Sequence, residues 1–295
     1  MRRTLLKILA VLVIPGLVSC GGPESSGYHG ALYFGQGSYL MRFSLADGSL
    51  SVVSQLGDRK IRELGPFGNG RLLIAETTPV NGRNVPRISW MDLQTGQVSV
   101  LYSGIAARYL ADAGVVVYDD GSRLYSVPQF GSEETGELFS HRSNEKIDMI
   151  ALPGGTLLFE AGEAGARVIH AWTAADGKSQ RLEALSATCR LDGAVWIEDL
   201  QRLACRARDA GAPAGYLLSG LDGEVEHRIA LPGKRRFRAL AYLDDQHALV
   251  LAERWRGLLG GAERTATWAY DLHSGASVRI SKNQDLGDSV VYAGR

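Results

Sequence analysis

The sequence predicts an all-β chain folded as a six-bladed β-propeller, with four-stranded blades and a closure blade built from both termini. Three observations predict it. A hairpin unit recurs six times at a spacing of about 45 residues, an apolar strand alternates with it, and a lone strand is left over at the C-terminus.

The recurring hairpin is a strand, a tight turn rich in Asp, Thr, Ser and Gly, and a second short strand. Its turn glycines are Gly48, Gly96, Gly136, Gly177, Gly223 and Gly275, spaced 40 to 52 residues apart. Glycine is expected there because such turns place a residue at positive φ. Between the hairpins lie strongly apolar runs at 72–75, 115–118, 156–159 and 248–252. They are apolar on both faces, as the buried second strand of a four-stranded sheet must be. Each period therefore carries four strands, as a propeller blade does. Five full periods run from Lys60 to about Gln284. Residues 30–56 supply three further strands and residues 288–294 supply one, and together these make the sixth blade. Such a clasp removes the exposed edges of an open array. A sandwich, an open solenoid and a seven-bladed ring share parts of this pattern, but six hairpins with one orphan terminal strand favour six blades. No long helical periodicity follows the first twenty residues.

Those first residues form a separate object. Arg2, Arg3 and Lys7 make a basic start, and residues 5–18 are an apolar run broken by Lys7, Pro15 and Gly16. The run is shorter than the ~20 residues a membrane span needs and has the architecture of a secretory signal. It ends in Leu17, Val18, Ser19 and Cys20, which resembles the bacterial lipobox. The resemblance implies cleavage before Cys20, acylation of its thiol and a lipid-anchored protein of the cell envelope. Gly21, where enteric inner-membrane lipoproteins have Asp, implies the outer membrane facing the periplasm in a Gram-negative host. The expected division is 1–19 signal peptide, 20–29 lipid-anchored tether and 30–295 β-propeller domain.

The 295 residues include 32 basic and 32 acidic side chains. Loss of Arg2, Arg3 and Lys7 with the signal leaves a small negative balance, which argues against nucleic acid as a partner. Of three cysteines, Cys20 is the expected anchor. Cys189 and Cys205 remain as an even pair in an oxidising compartment, either a disulfide or two buried thiols in neighbouring strands.

Several units end a strand in the pattern Asp-Leu-x-(Thr/Ser)-Gly, as at Asp92, Leu93, Thr95 and Gly96 and at Asp271, Leu272, Ser274 and Gly275. With the apolar strand and polar loop before it, this pattern resembles the TolB-like and WD40-like propeller repeats of bacteria. The resemblance covers nearly the whole chain after the signal, and it implies blades rather than an activity. The quinoprotein-type repeat follows a similar turn with Trp, and none of the six copies does.

Aligning the six innermost strands gives one column of charge, Arg62, Arg108, Asp148, Arg190, Arg238 and Asp288, expected at the mouth of the central channel. Four cations and two anions there suit either mutual ion pairing or an acidic or polar ligand gripped by forked guanidinium groups. Two long loops are expected beside that mouth, 77–84 with Arg83 and 254–264 with Trp255 and Arg256. Exposed aromatic and Arg residues of this kind suit a protein partner. The strand-end carboxylates Glu76, Asp119, Asp120, Glu160 and Glu253 are candidates to converge near the mouth, where a close pair would suit glycoside chemistry.

Catalytic signatures do not occur in the sequence. There is no nucleophile elbow, no phosphate-binding glycine loop and no metal-like histidine spacing. No catalytic residue, metal or cofactor is assigned, and an enzyme is the less favoured class. The expectation is a scaffold in the cell envelope that holds another envelope protein or a peptide, tied to the membrane through its lipid. The alternatives are a carbohydrate- or ester-active hydrolase or lyase and a small-molecule sensor.

Overall fold

Six antiparallel sheets of four strands each stand around one central channel. The computed structural model describes residues 26–127, 135–141, 147–162, 167–208, 215–231, 237–256, 263–282, 284–287 and 289–294. In chain order the strands are β1 (Ala31–Gln36), β2 (Tyr39–Ser44) and β3 (Leu50–Gln55), then β4 (Lys60–Pro66), β5 (Arg71–Val80), β6 (Arg83–Asp92) and β7 (Val98–Tyr102). The third blade is β8 (Ala106–Leu110), β9 (Val115–Asp119), β10 (Arg123–Val127) and β11 (Gly136–Ser140). The fourth is β12 (Asp148–Leu152), β13 (Thr156–Ala161), β14 (Val168–Thr173) and β15 (Ser179–Arg181). The fifth is β16 (Cys189–Ile197), β17 (Arg202–Ala207), β18 (Tyr216–Ser219) and β19 (Val225–Ile229). The sixth is β20 (Phe237–Leu243), β21 (Ala248–Arg256), β22 (Glu263–Asp271) and β23 (Ser277–Lys282), and β24 (Val290–Ala293) ends the chain.

The first blade has the order β24-β1-β2-β3, so the C-terminal strand is its innermost member. Ala31 pairs with Ala293 and Phe34 with Val290. This is the clasp that the orphan strand predicts. The innermost strands β24, β4, β8, β12, β16 and β20 touch their neighbours in turn and close the ring.

No single core fills the molecule. Each pair of adjacent blades encloses its own apolar cluster, six in all. The two-faced apolar runs follow from this. In β5, Leu72 and Ile74 pack toward the first blade, whereas Leu73 and Ala75 pack toward the third. In β9, Val115 and Val117 face the fourth blade while Val116 and Tyr118 face the second. A strand with a neighbour on either side must be apolar at every position, so period-2 alternation vanishes.

The tight turns behave as their sequences dictate. Gly48, Gly96, Gly177, Gly223 and Gly275 all take positive φ. Asp92 and Asp271 cap their turns by accepting backbone N–H groups two and three residues on. Gly136 is the exception, since it lies inside β11 opposite Ser126. Its blade has a longer connection, and residues 128–134 lie outside the described residues. One short helix, α1 (Glu183–Thr188), interrupts the all-β pattern after the three-residue β15. It buries Leu185 and Ser186, and the Ser186 hydroxyl accepts the N–H of Ile169 at 2.8 Å.

Candidate functional site

The channel has two mouths. Each innermost strand begins at the upper one and ends at the lower one. The hairpins joining second to third strands rise around the upper mouth, and the turns joining first to second strands ring the lower. The cavity between the mouths measures about 540 Å³.

The predicted charge column is only partly a ring. Arg108, Asp148 and Arg238 line the cavity. Arg62 does not, because β4 bulges between Ile61 and Glu63 and turns Arg62 to solvent. Its neighbour Glu63 lines the wall instead and is buried. A second irregularity between Arg190 and Val195 leaves Arg190 exposed and off the cavity wall. A register shift by an odd number of residues, one in β4 and three in β16, reverses which side chain faces inward. Asp288 lies outside the described residues.

Those that do meet the channel are paired. Arg108 binds Glu63. Asp148 stands 4.0 Å from Arg167, and Arg238 stands 3.2 Å from Asp192, which also approaches Arg206 at 3.6 Å. Gly193, at φ +66°, lets Arg238 lie across it, since an added Cβ would sit 2.4 Å from the Arg238 Nε.

Of the five strand-end carboxylates, Glu76, Asp119, Glu160 and Glu253 are buried and Asp120 is exposed, and they do not converge. Glu76 accepts from the Ser89 hydroxyl at 2.7 Å and meets Arg59 at 3.3 Å. Asp119 meets His141 at 3.0 Å, and burial raises its pKa. Glu160 meets Arg208 at 2.6 Å and accepts the Leu191 N–H at 2.8 Å, joining the fourth blade to the fifth. Glu253 accepts from the Trp268 indole at 3.0 Å. None of these lines the cavity, and Asp120 caps its own hairpin turn. Each acid is spent between strands, which is why the sequence pattern repeats. Among the described residues no three His, Cys, Asp or Glu side chains gather as a metal-binding group.

The two long loops are β-ribbons. Residues 77–80 and 83–87 continue β5 and β6 in register from Thr77–Pro86 to Val80–Arg83. Asn81 and Gly82 turn the ribbon with φ of 50° and 76°, the two positive values of the tightest hairpin turn. The other ribbon pairs Arg254 with Thr265, Trp255 with Arg264 and Arg256 with Glu263. Trp255 is half-buried and Arg254 meets Asp285 at 3.1 Å. The Arg256 side chain and residues 257–262 lie outside the described residues. The ribbons stand on the second and sixth blades, on either side of the clasp. Arg83 at the ribbon turn is exposed, Arg87 is half-buried, and among the described residues neither they nor Arg62 and Arg190 form an ion pair.

The lower mouth carries residues that the sequence reading passed over. Tyr109, Trp196, Tyr242 and Tyr292 are the penultimate residues of β8, β16, β20 and β24, and all line the cavity. Tyr242 donates to Asp199 at 2.5 Å, and Tyr292 donates to Asp245 at 2.6 Å. Each carboxylate also holds a histidine, His247 at 2.6 Å and His29 at 2.9 Å. The recurring aromatic before a Leu, Ile or Ala at the strand end was the available signal.

Cys189 and Cys205 face one another from β16 and β17, fully buried, with Cα atoms 5.6 Å apart. That spacing suits a disulfide.

No known protein family is matched by the sequence, and no curated protein is similar to it. Solved structures are. The chain is similar to TolB from Acinetobacter baumannii at 13% identity and a TM-score of 0.61, over 92% of this chain and 68% of that one. It is similar to a chain of the nidogen/laminin complex at 11% identity and a TM-score of 0.61, over 88% of this chain and 97% of that one. An oligogalacturonate lyase solved with manganese matches at 16% identity and a TM-score of 0.52, over 75% and 70%. At such identities the likeness is one of fold, and the fold it shares with TolB is the six-bladed β-propeller.

Proposed function

We propose that this protein is a lipid-anchored scaffold of the cell envelope that holds a protein or peptide partner against its upper face. The carrying observation is the pair of ribbons at the upper mouth together with four arginines, Arg62, Arg83, Arg87 and Arg190, that make no ion pair with another described residue. Arginines with no described ion-pair partner beside these ribbons are available to carboxylates of a partner. The nidogen match, a structure of this fold solved with laminin, supports the same use of the scaffold.

The placement of the N-terminal segment supports an anchored role. β1 starts at the lower mouth, and His29 bonds to Asp245 and Gln246 there. In this reading a tether from Cys20 joins the domain at residue 29 on the lower face, and the ribbons stand on the opposite face, away from the bilayer. In this reading 1–19 is removed, Cys20 carries the lipid, and Cys189–Cys205 forms a disulfide.

Cross-linking in intact cells followed by affinity capture tests the reading. Capture of a defined envelope partner that disappears with Arg83→Glu and Arg87→Glu is the expected result. A partner set unchanged by both substitutions would overturn it. Labelled palmitate incorporation, lost in Cys20→Ala, tests the anchor separately.

A further inference from the structure

The two mouths differ in chemistry. Of the charged residues lining the cavity, Glu63, Arg108, Asp148 and Arg238 stand on the upper half of the wall and include both signs. Asp112, Glu198 and Asp244 stand at the lower mouth and are all acidic. No cation among the described residues lines that end. The penultimate positions of the six innermost strands share one level, fixed by their partners in the second strands. They are Tyr292, Gly65, Tyr109, Ala151, Trp196 and Tyr242, in order around the ring. Four aromatic side chains thus line the cavity at one level, each half-buried against an apolar cluster between blades, and Gly65 and Ala151 take the other two places.

We propose that this lower mouth is a binding site for an organic cation, an ammonium or guanidinium group held by the aromatic rings and by the carboxylates of Glu198 and Asp244. Aromatic faces attract cations through their quadrupole, and the attraction strengthens as water is excluded. The Tyr242 and Tyr292 phenols donate to Asp199 and Asp245, which fixes the rings and leaves them neutral. Burial, then the hydrogen bond to Asp199, raises the Tyr242 pKa well above its ordinary value, and the same two causes act on Tyr292 through Asp245. Glu198 and Asp244 are exposed and make no ion pair with another described residue. Asp112 and Asp244 each accept one backbone N–H through one carboxylate oxygen, from Gly154 at 2.6 Å and from Asp245 at 2.9 Å. The site is separate from the ribbons and arginines of the upper face.

The source of the cation is either a quaternary ammonium compound or the side chain of a basic peptide. Saturation-transfer NMR on the purified full chain distinguishes them with choline, with N-acetyl-arginine amide and with 3,3-dimethylbutanol, the uncharged isostere of choline. The expected result is transfer to choline or to the arginine derivative, with affinity on the order of tenfold above that for the isostere. Whichever cation binds more tightly names the source. The double variant Glu198→Gln, Asp244→Asn changes charge without shape, and it is expected to weaken the cation severalfold and leave the isostere unchanged. Tyr242→Leu tests the ring, with thermal melting as the control for folding. Equal transfer to cation and isostere, transfer to none of the three probes, or full cation affinity in the double variant would each overturn the proposal.

Discussion

Arg108 reaches from β8 to Glu63 on β4 and sets its Nη2 2.5 Å from the carboxylate. The same guanidinium donates through Nε to the Met149 carbonyl of β12 at 2.9 Å and through Nη1 to the Ala107 carbonyl at 2.7 Å. One side chain therefore joins three consecutive blades along the channel wall. Glu63 is 7% exposed, so the pair sits where a lone charge is costly. Arg108→Ala is expected to lower stability by about 3 kcal/mol, and replacing both partners by Leu should restore part of that loss. Urea denaturation measures both. A single variant within about 0.5 kcal/mol of the parent would show that the pair contributes nothing net.

The proposed Cys189–Cys205 disulfide ties the inner two strands of the fifth blade across a sequence separation of 16. A loop of that size gives a stabilisation of about 3 kcal/mol. Reductant, or Cys205→Ala, should therefore lower the melting temperature by several degrees. Alkylation of the denatured, unreduced chain should leave both thiols unmodified. Two labelled cysteines in that experiment would replace the disulfide by a pair of buried thiols.

The fold was legible because blades repeat, and the site was less so because register does not show in a one-dimensional alignment. Turn glycines such as Gly96 and Gly275 carry a backbone requirement that sequence displays directly. The clasp was legible from one unpaired terminal strand. Arg62 was misplaced because a bulge moves β4 by one residue, and Arg190 because the register of β16 shifts by three before Val195; Gly193, at positive φ within that second irregularity, was the local mark of it. The loop at 77–84 contains Asn81 and Gly82, a hairpin signal, yet Pro79 and Pro86 on its strands suggest a loop. Those prolines sit opposite Asn84 and Thr77 on a ribbon with open edges, where they block pairing with another chain. Glu76, Glu160 and Glu253 read as strand terminators, and burial between strands is a tertiary fact.

Acid should weaken the fold through its turns. Asp47 is pulled down to about 2, chiefly by the Ser44 side chain and then by Ser49. Asp92 is lowered chiefly by the Thr95 N–H, and Asp271 by the Ser274 N–H. A lowered pKa means that the folded chain holds the ionised form. The stabilisation is complete above the ordinary Asp value of about 4 and is lost as pH falls toward the folded value. Asp119, raised by burial, works in the opposite direction and offsets part of the loss. Melting temperature should fall steadily between about pH 4 and pH 2. The triple variant Asp47→Asn, Asp92→Asn, Asp271→Asn should melt lower at neutral pH and show a shallower acid slope. An unchanged slope would assign acid sensitivity to other groups.

The clasp should govern the stability of the whole ring. Ser289 closes it with two bonds to the second blade, its hydroxyl accepting the Leu64 N–H at 2.9 Å and donating to the Leu64 carbonyl at 2.8 Å. Val290 and Val291 then enter the apolar clusters on opposite sides of the first blade. Gly30 allows β1 to approach, because at φ +86° an added Cβ would lie 2.7 Å from the Tyr292 ring and 2.8 Å from the Ala293 carbonyl oxygen. Ser289→Ala is expected to cost about 1 to 2 kcal/mol, and Gly30→Ala more, through clash and backbone strain together. A chain ending at residue 287 loses β24 and leaves the inner edge of β1 unpaired, so it should aggregate or unfold. Hydrogen exchange locates the effect. Protection should fall first in the first blade and in the second and sixth, which share its clusters, while the fourth blade is affected last. A truncated chain with the parent's melting temperature would mean that the ring does not depend on its closure.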